Sequence, residues 1–190
     1  MIKIPVETSA RHIHLSQEDL KVLFGDNFEL HQMRELSQPN EFAAKETLTI
    51  KTPKNSFFNV RIVGPVRAKT QVEISKSDAY ILGLNPPIRI SGDVANSEKC
   101  LLVGPKGQVE LKEGVIVSWR HIHLNPDFLK KNNLNEKQLV SVKIAKGDRR
   151  LTFHDVCLRV SDHYEPAMHV DTDEANAAGL TETSEGELII

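Results

Sequence analysis

The chain of 190 residues carries 24 Lys and Arg against 26 Asp and Glu, with a formal net charge of −2 and 39% hydrophobic residues. This balance argues against nonspecific nucleic-acid binding, which needs a basic excess, although local basic residues can still bind a small anion. No apolar run approaches the ~20 residues of a membrane-spanning helix, and the N-terminus lacks the apolar region of a signal peptide. We therefore expect a cytoplasmic protein of one large domain or two small ones, without a membrane or nucleic-acid partner.

Short predicted strands dominate the chain. In chain order they are Ile2–Thr8, Thr47–Lys51, Asn59–Val63, Gln71–Ile74, Ile88–Ile90, Cys100–Val103, Gln108–Leu111, Gly114–Trp119, Leu139–Ile144, Leu151–Phe153, Val156–Val160 and Glu187–Ile190. Turn signals rich in Gly and Pro separate them, such as the Gly-Pro-Lys-Gly run at 104–107. Many short strands at close spacing favour a β-barrel or sandwich over a parallel α/β sheet.

Short helices with capping signals are predicted between the strands. The signals are Ser16 with Asp19, Ser77 with a stop at Gly83, Asn125 before Pro126, and Asp171 with a stop at Gly179. The predicted fold class is therefore mainly β with short α-helices.

The pentapeptide Arg-His-Ile-His-Leu occurs twice, at Arg11–Leu15 and at Arg120–Leu124. In both copies a predicted strand leads into the motif and a capped helix follows. A repeated five-residue string with the same flanking elements indicates that the chain is internally duplicated.

Each His-x-His pair places two imidazoles on the same side of a strand, where they can bind one metal ion. A lone pair of this kind is more often a surface feature, but its repetition favours a two-metal site between the halves. Zinc normally takes at least three protein ligands. Two candidates can complete the sites: Glu73 with His12 and His14, and His169 with His121 and His123.

Taken alone, Glu73 reads as a solvent-facing residue on an alternating strand, and His169 as a neighbour of a helix cap. His31, His154 and His163 have no matched partner and are interpreted as ordinary polar residues.

Arg67 follows the Gly64-Pro65 turn and precedes Glu73 by six residues. If Glu73 is a ligand, Arg67 lies near the metal, where a guanidinium suits bidentate phosphate binding. The alternative is a surface arginine after a turn. Arg89 is an equally basic but less well placed candidate, and Lys54 and Arg61 add positive charge.

Several blocks of the sequence resemble the PduL-type phosphate acyltransferases, the phosphate propanoyltransferase or phosphotransacylase family. The blocks are Thr8–Ser16, Val63–Arg67, Thr70–Ser75, Arg89–Asp93, Gly104–Gly107, the second Arg-His-Ile-His-Leu, and His169–Gly179. They run in order along essentially the whole chain.

This resemblance implies two duplicated β-barrel domains, residues 11–118 and 119–190, with the active site at their interface. The second barrel would be circularly permuted and would take a strand from residues 1–10. Members targeted to bacterial microcompartments carry an amphipathic N-terminal extension, and the near-immediate first strand here favours a free cytoplasmic enzyme. A homodimer is the default expectation.

The resemblance also implies two Zn²⁺ ions per chain and assigns roles to residues. His12, His14 and Glu73 would hold one ion, and His121, His123 and His169 the other. Arg67 would be the catalytic, phosphate-binding arginine, helped by the backbone around Ser9. The residues on the coenzyme A side would be Ser9, Ala10, Arg11, Lys54, Arg61 and Asn176.

The hypothesis from the sequence is reversible transfer of a propanoyl or acetyl group between coenzyme A and phosphate. Cys100 and Cys157 read as reduced core residues, and no cysteine or serine lies beside a histidine as an activated nucleophile. Direct attack by phosphate is therefore expected. The alternatives are a dinuclear zinc hydrolase of thioesters or phosphoesters and a zinc-binding module without turnover.

Overall fold

The computed structural model describes residues 2–181 and 184–190. Its strands are β1 (Ile2–Thr8), β2 (His12–His14), β3 (Gln32–Glu35), β4 (Phe42–Lys51), β5 (Ser56–Gly64), β6 (Gln71–Glu73), β7 (Ile88–Arg89), β8 (Glu98–Val103), β9 (Gln108–Ser118), β10 (His121–Leu124), β11 (Leu139–Ile144), β12 (Leu151–Val160), β13 (Ala167–Val170) and β14 (Glu185–Ile189). Its helices are α1 (Gln17–Phe24), α2 (Lys76–Leu82), α3 (Pro126–Lys131) and α4 (Thr172–Ala178). The predicted fold class is confirmed, and none of these helices has the length and hydropathy to span a membrane.

Residues 11–36 and 40–118 form one compact unit built around a closed barrel, which we call the first barrel. The strands follow the order β4, β5, β2, β6, β9 and β8, and the pairing of β8 with β4 closes the ring. Fully buried aliphatic side chains such as Ile13, Ile62 and Leu102 fill its interior.

Residues 2–10, 37–39, 119–181 and 184–190 belong to the other unit, which holds the second barrel. Its closed strand order is β1, β13, β10, β12, β11 and β14. The core contains Ile4, Ile122 and Met168, all without solvent exposure.

The two barrels have the same pairing pattern. Strand β2 runs parallel to β5 and antiparallel to β6, and β10 runs parallel to β12 and antiparallel to β13. Strand β1 takes in the second barrel the place that β9 has in the first, since each is parallel to one neighbour and antiparallel to the other. The predicted duplication is therefore visible in the topology, and the N-terminal strand completes the second ring.

Three predicted elements differ from the structure. Helix α2 begins after Ser75, two residues before the predicted Ser77, because Ser75 and Asp78 form a reciprocal capping box. The runs predicted as separate strands at 108–119 and 151–160 are single strands, β9 and β12. Register shifts and residues with positive φ (Gly114 and Asp155) interrupt their ladders as β-bulges, which let polar residues sit inside a continuing strand.

Strand β3 was not predicted. All of its residues are exposed, so it lacks the alternation of apolar and polar residues that identifies a half-buried strand.

Candidate functional site

His12, His14 and Glu73 lie together on two neighbouring strands of the first barrel. His12 and His14 project from the same side of β2, and Glu73 on β6 is directly opposite His12. The His12 Nε2 atom is 3.1 Å from His14 Nε2 and 3.8 Å from Glu73 Oε1, and His14 Nε2 is 3.9 Å from Glu73 Oε1. The structure thus brings together the three residues that the sequence nominated.

This arrangement fits a divalent metal. Ligand atoms bound to tetrahedral zinc at ~2.0–2.1 Å are separated by roughly 3.4 Å, close to the separations found here. His14 Nδ1 contacts the Val63 carbonyl at 3.1 Å, which leaves Nε2 to face His12 and Glu73. Burial, helped by the charges of His12 and Arg67, holds the pKa of His14 well below its ordinary value. A neutral imidazole is the form that binds a metal.

Polar side chains surround Glu73 and connect it to Arg67. Gln71 Nε2 and Ser91 Oγ both donate to Glu73 Oε1, at 2.6 and 2.7 Å. Arg67 donates from Nη1 to Ser91 Oγ at 3.1 Å and from Nη2 to Glu41 Oε1 at 3.0 Å. Arg67, which was predicted to lie near the group of His12, His14 and Glu73, is therefore connected to it through one residue, Ser91.

The sequence analysis did not single out these connecting residues. Gln71 precedes Glu73 by two positions on the same strand, a spacing that places both side chains on one side and would have identified it. Ser91 and Glu41 come from loops. Ser91 lies inside the block Arg89–Asp93 that resembles a known family, and no sequence signal points to Glu41.

His121, His123 and His169 form the matching group in the second barrel. Each offers a ring nitrogen, and the three atoms lie within 4.8 Å of one another. His169 on β13 is directly opposite His121 on β10. His121 Nδ1 is 2.7 Å from the Trp119 carbonyl, which leaves its Nε2 as the ligand atom. Three imidazoles in this arrangement suit zinc.

Two further pairs of side chains border this second group, and the sequence analysis missed both. Glu7 Oε2 lies 3.2 Å from His169 Nε2 and accepts a hydrogen bond from Ser37 at 2.5 Å. The contact with His169 lowers the pKa of Glu7. The ring of Tyr164 lies 4.3 Å from the His123 ring, and Arg159 donates to the Tyr164 hydroxyl at 3.4 Å.

Three of the residues assigned to the coenzyme A side are cations of the first barrel. Arg11 makes two bonds to Asp78, at 2.5 and 3.0 Å, and its guanidinium lies 4.4 Å from the Phe57 ring centre. Lys54 Nζ donates to the Tyr80 carbonyl at 2.8 Å. Arg61 donates to the carbonyls of residues 44 and 45, both at 2.8 Å.

The remaining residues of that set belong to the second barrel's unit. The Ser9 backbone N–H donates to the Val170 carbonyl at 2.8 Å, which places the 9–10 segment at the end of β13, and Asn176 lies on α4. Ser9 and Ala10 follow β1 directly, and Ser9 therefore lies close to His169 along the strand pair.

The chain was also compared with known proteins. The family model described as phosphate propanoyltransferase matches residues 5–181. A phosphate propanoyltransferase from Thermotoga maritima is 49% identical over 177 residues, covering 93% of this chain and 84% of the relative. Proteins of the same name from Listeria monocytogenes and Clostridioides difficile are each 45% identical over 186 residues, covering 98% of this chain and 87% and 88% of the relatives.

Proposed function

Because the chain belongs to the phosphate propanoyltransferase family, a family of acyltransferases, we propose that it interconverts a short-chain acyl-CoA and phosphate with acyl phosphate and coenzyme A. The acyl group is propanoyl or acetyl. The observation that carries this proposal is the hydrogen-bonded connection from Arg67 through Ser91 to Glu73, which lies against two histidines. It combines a phosphate-binding cation with a metal-binding group.

Two zinc ions are part of the proposal. His12, His14 and Glu73 would hold one, and His121, His123 and His169 the other. Zinc at such sites lowers the pKa of a bound thiol and polarises a carbonyl or phosphoryl oxygen. The ring contacts of His14 with Val63 and of His121 with Trp119 orient the ligand nitrogens in advance.

Arg67 would bind the phosphate. Its guanidinium is held by Ser91 and Glu41 and is only partly exposed, so its direction is fixed before the substrate arrives. A planar guanidinium binds two phosphate oxygens at once. An oriented cation also stabilises the negative charge that develops on the attacked thioester carbonyl.

Coenzyme A would lie along Ser9, Ala10, Arg11, Lys54, Arg61 and Asn176. The cations among them suit the phosphates of coenzyme A, and the Arg11 guanidinium is held over the Phe57 ring and by Asp78.

We propose direct transfer without an acyl-enzyme. A phosphate oxygen attacks the thioester carbonyl carbon, the carbon–sulfur bond breaks, and coenzyme A leaves as the thiolate. The alternative nucleophile would be a cysteine, but burial raises the pKa of Cys100 to about 12 and also raises the pKa of Cys157. Neither cysteine therefore readily forms the thiolate that would attack a thioester.

The test is release of coenzyme A from propanoyl-CoA by the zinc-loaded protein, with and without phosphate. We expect release to require phosphate and to yield one acyl phosphate per coenzyme A. Release without phosphate would identify a hydrolase, and no release under either condition would leave only metal binding. That both histidine groups serve one reaction is part of the same proposal, and loss of activity on removing either ion checks it.

A further inference from the structure

The carboxylate of Glu7 contacts His169 of the three-histidine group. It lies on β1, where its Cα is the register partner of His169 on the parallel neighbour β13. His169 is in turn the partner of His121 on β10. Glu7, His169 and His121 therefore form a row across three adjacent strands, and their side chains share one side of the sheet.

The first barrel has a different kind of residue at the position that corresponds to Glu7. There, β9 stands where β1 stands in the second barrel, and the register partner of Glu73 on β9 is Ile116, which is fully buried. The first group thus has a carboxylate as its third member and an aliphatic neighbour. The second has an imidazole as its third member and a carboxylate neighbour.

From this comparison we infer that Glu7 belongs to the second metal group and supplies the negative charge that Glu73 supplies to the first. This inference rests on the proposed zinc binding and extends it to a residue outside the three histidines. With Glu7 included, each group contains a His-x-His pair, a third member from the next strand and one carboxylate. In the first group the carboxylate is the third member itself, Glu73, and in the second it is the additional residue Glu7.

The contacts of Glu7 support this role. Its Oε2 atom lies 3.2 Å from His169 Nε2, within the range of a charge-assisted hydrogen bond. Ser37 donates to the same oxygen at 2.5 Å and lies 3.5 Å from His169 Nε2. Ser37 thereby holds the carboxylate, whose side chain is 39% exposed, beside the ring.

A carboxylate at this place strengthens metal binding for two reasons. Its charge attracts the cation, and its contact orients the imidazole and increases the electron density on the ring. Removing such a partner of a metal-binding histidine typically weakens affinity by about 10–100-fold.

The experiment measures zinc affinity by competition with a chromophoric chelator for the wild-type protein and for Glu7→Gln. Gln keeps the size of the side chain and removes its charge. We expect one of the two zinc affinities to fall by about 10–100-fold and the other to stay within about twofold. Ser37→Ala keeps the charge of Glu7 but removes the hydrogen bond that holds its carboxylate. It is expected to give a smaller loss of zinc affinity at the same ion.

The matched control is Glu185→Gln, which removes the same charge from an exposed pair with Lys3 on the second barrel. It is expected to leave both affinities unchanged. In a His121→Ala background, where the second ion is lost, Glu7→Gln is expected to have no further effect on the remaining ion. Circular dichroism of each variant checks the fold independently of metal.

Two outcomes overturn the inference in distinguishable ways. If the wild type binds two zinc ions and Glu7→Gln binds both as tightly, Glu7 has no part in the group while the proposed metals stand. If the wild type binds no divalent metal at all, the proposed metal function fails and this inference fails with it.

Discussion

Glu73 lies directly opposite His12 in the antiparallel pair of β6 and β2. Side chains at such paired positions are about 4.5–5.5 Å apart at Cβ and face the same way, so strand register alone brings the ligand atoms within reach. His169 has the same relation to His121 in the second barrel. Both groups are therefore produced by one device, a His-x-His strand paired with its antiparallel neighbour.

Glu73→Gln is expected to reduce the zinc content from two ions per chain to one. Gln retains an oxygen for the hydrogen bonds from Gln71 and Ser91 but has no charge to bind the metal. Acyl transfer should fall by more than about a hundredfold, beyond the usual effect of a supporting residue. Metal analysis by mass spectrometry after gel filtration and an assay of coenzyme A release measure both quantities.

Glu46→Gln is the control for this variant, since Glu46 is a carboxylate of the same barrel that pairs with the exposed His31 at 2.8 Å. It should keep both ions and full activity. Two tightly bound ions in Glu73→Gln would contradict the assignment of the first group.

Arg67→Lys is expected to raise the KM for phosphate at least about tenfold while the KM for propanoyl-CoA, the substrate that reacts with phosphate, changes little. Lysine keeps the charge but presents a point charge instead of the planar fork that binds two oxygens. Initial rates at varied phosphate and fixed propanoyl-CoA, and the reverse, separate the two constants. Arg89→Lys serves as the control because Arg89 pairs with Asp93 and donates to the Ile88 carbonyl. An equal rise in both constants would argue against a phosphate-specific role.

The sequence predicted the histidine pairs because their spacing is local. The two histidines of each pair are two positions apart, with one residue between them, and on a strand this spacing places both side chains on the same side. Glu73 and His169 were found because each lies in a recognisable strand context. The same local reasoning predicted a mainly β fold, since closely spaced short strands favour a barrel or a sandwich. The choice of two barrels came from the resemblance to a known family.

The residues that the sequence did not predict depend on contacts between distant segments. Ser37 meets His169 across 132 positions of the chain, and Ser91 meets Glu73 across 18. Glu7 becomes a neighbour of His169 only because β1 is parallel to β13. Strand order and register decide such contacts, and neither can be predicted from composition or periodicity.

Cys100 is expected to resist alkylation in the native protein. Burial raises its pKa to about 12, so roughly one thiol in ten thousand is ionised at pH 8, and the thiolate is the reactive form. Iodoacetamide labelling followed by mass spectrometry should show little reaction at pH 8, with the rate rising about tenfold per pH unit above it. The denatured chain, in which the thiol returns to its ordinary pKa, is the control.

Incubation with acyl-CoA should leave Cys100 and Cys157 without an acyl group, and a trapped acyl-cysteine would contradict direct transfer.

Gly186→Ala is expected to destabilise the second barrel by about 1–3 kcal/mol, the usual cost of overfilling a packed core. Gly186 lies on β14 between β1 and β11, and an added Cβ would overlap Val142 Cγ1 and come within 3.0 Å of Val6 Cγ2. Urea denaturation of the metal-free protein measures the loss, and Glu185→Ala at the exposed neighbouring position should change stability by less than about 0.5 kcal/mol. Because the closest overlap is with Val142, Val142→Ala should cost less in the Gly186→Ala background than in the wild type. Strictly additive losses of stability would show that the contact with Val142 is not what makes Gly186→Ala destabilising.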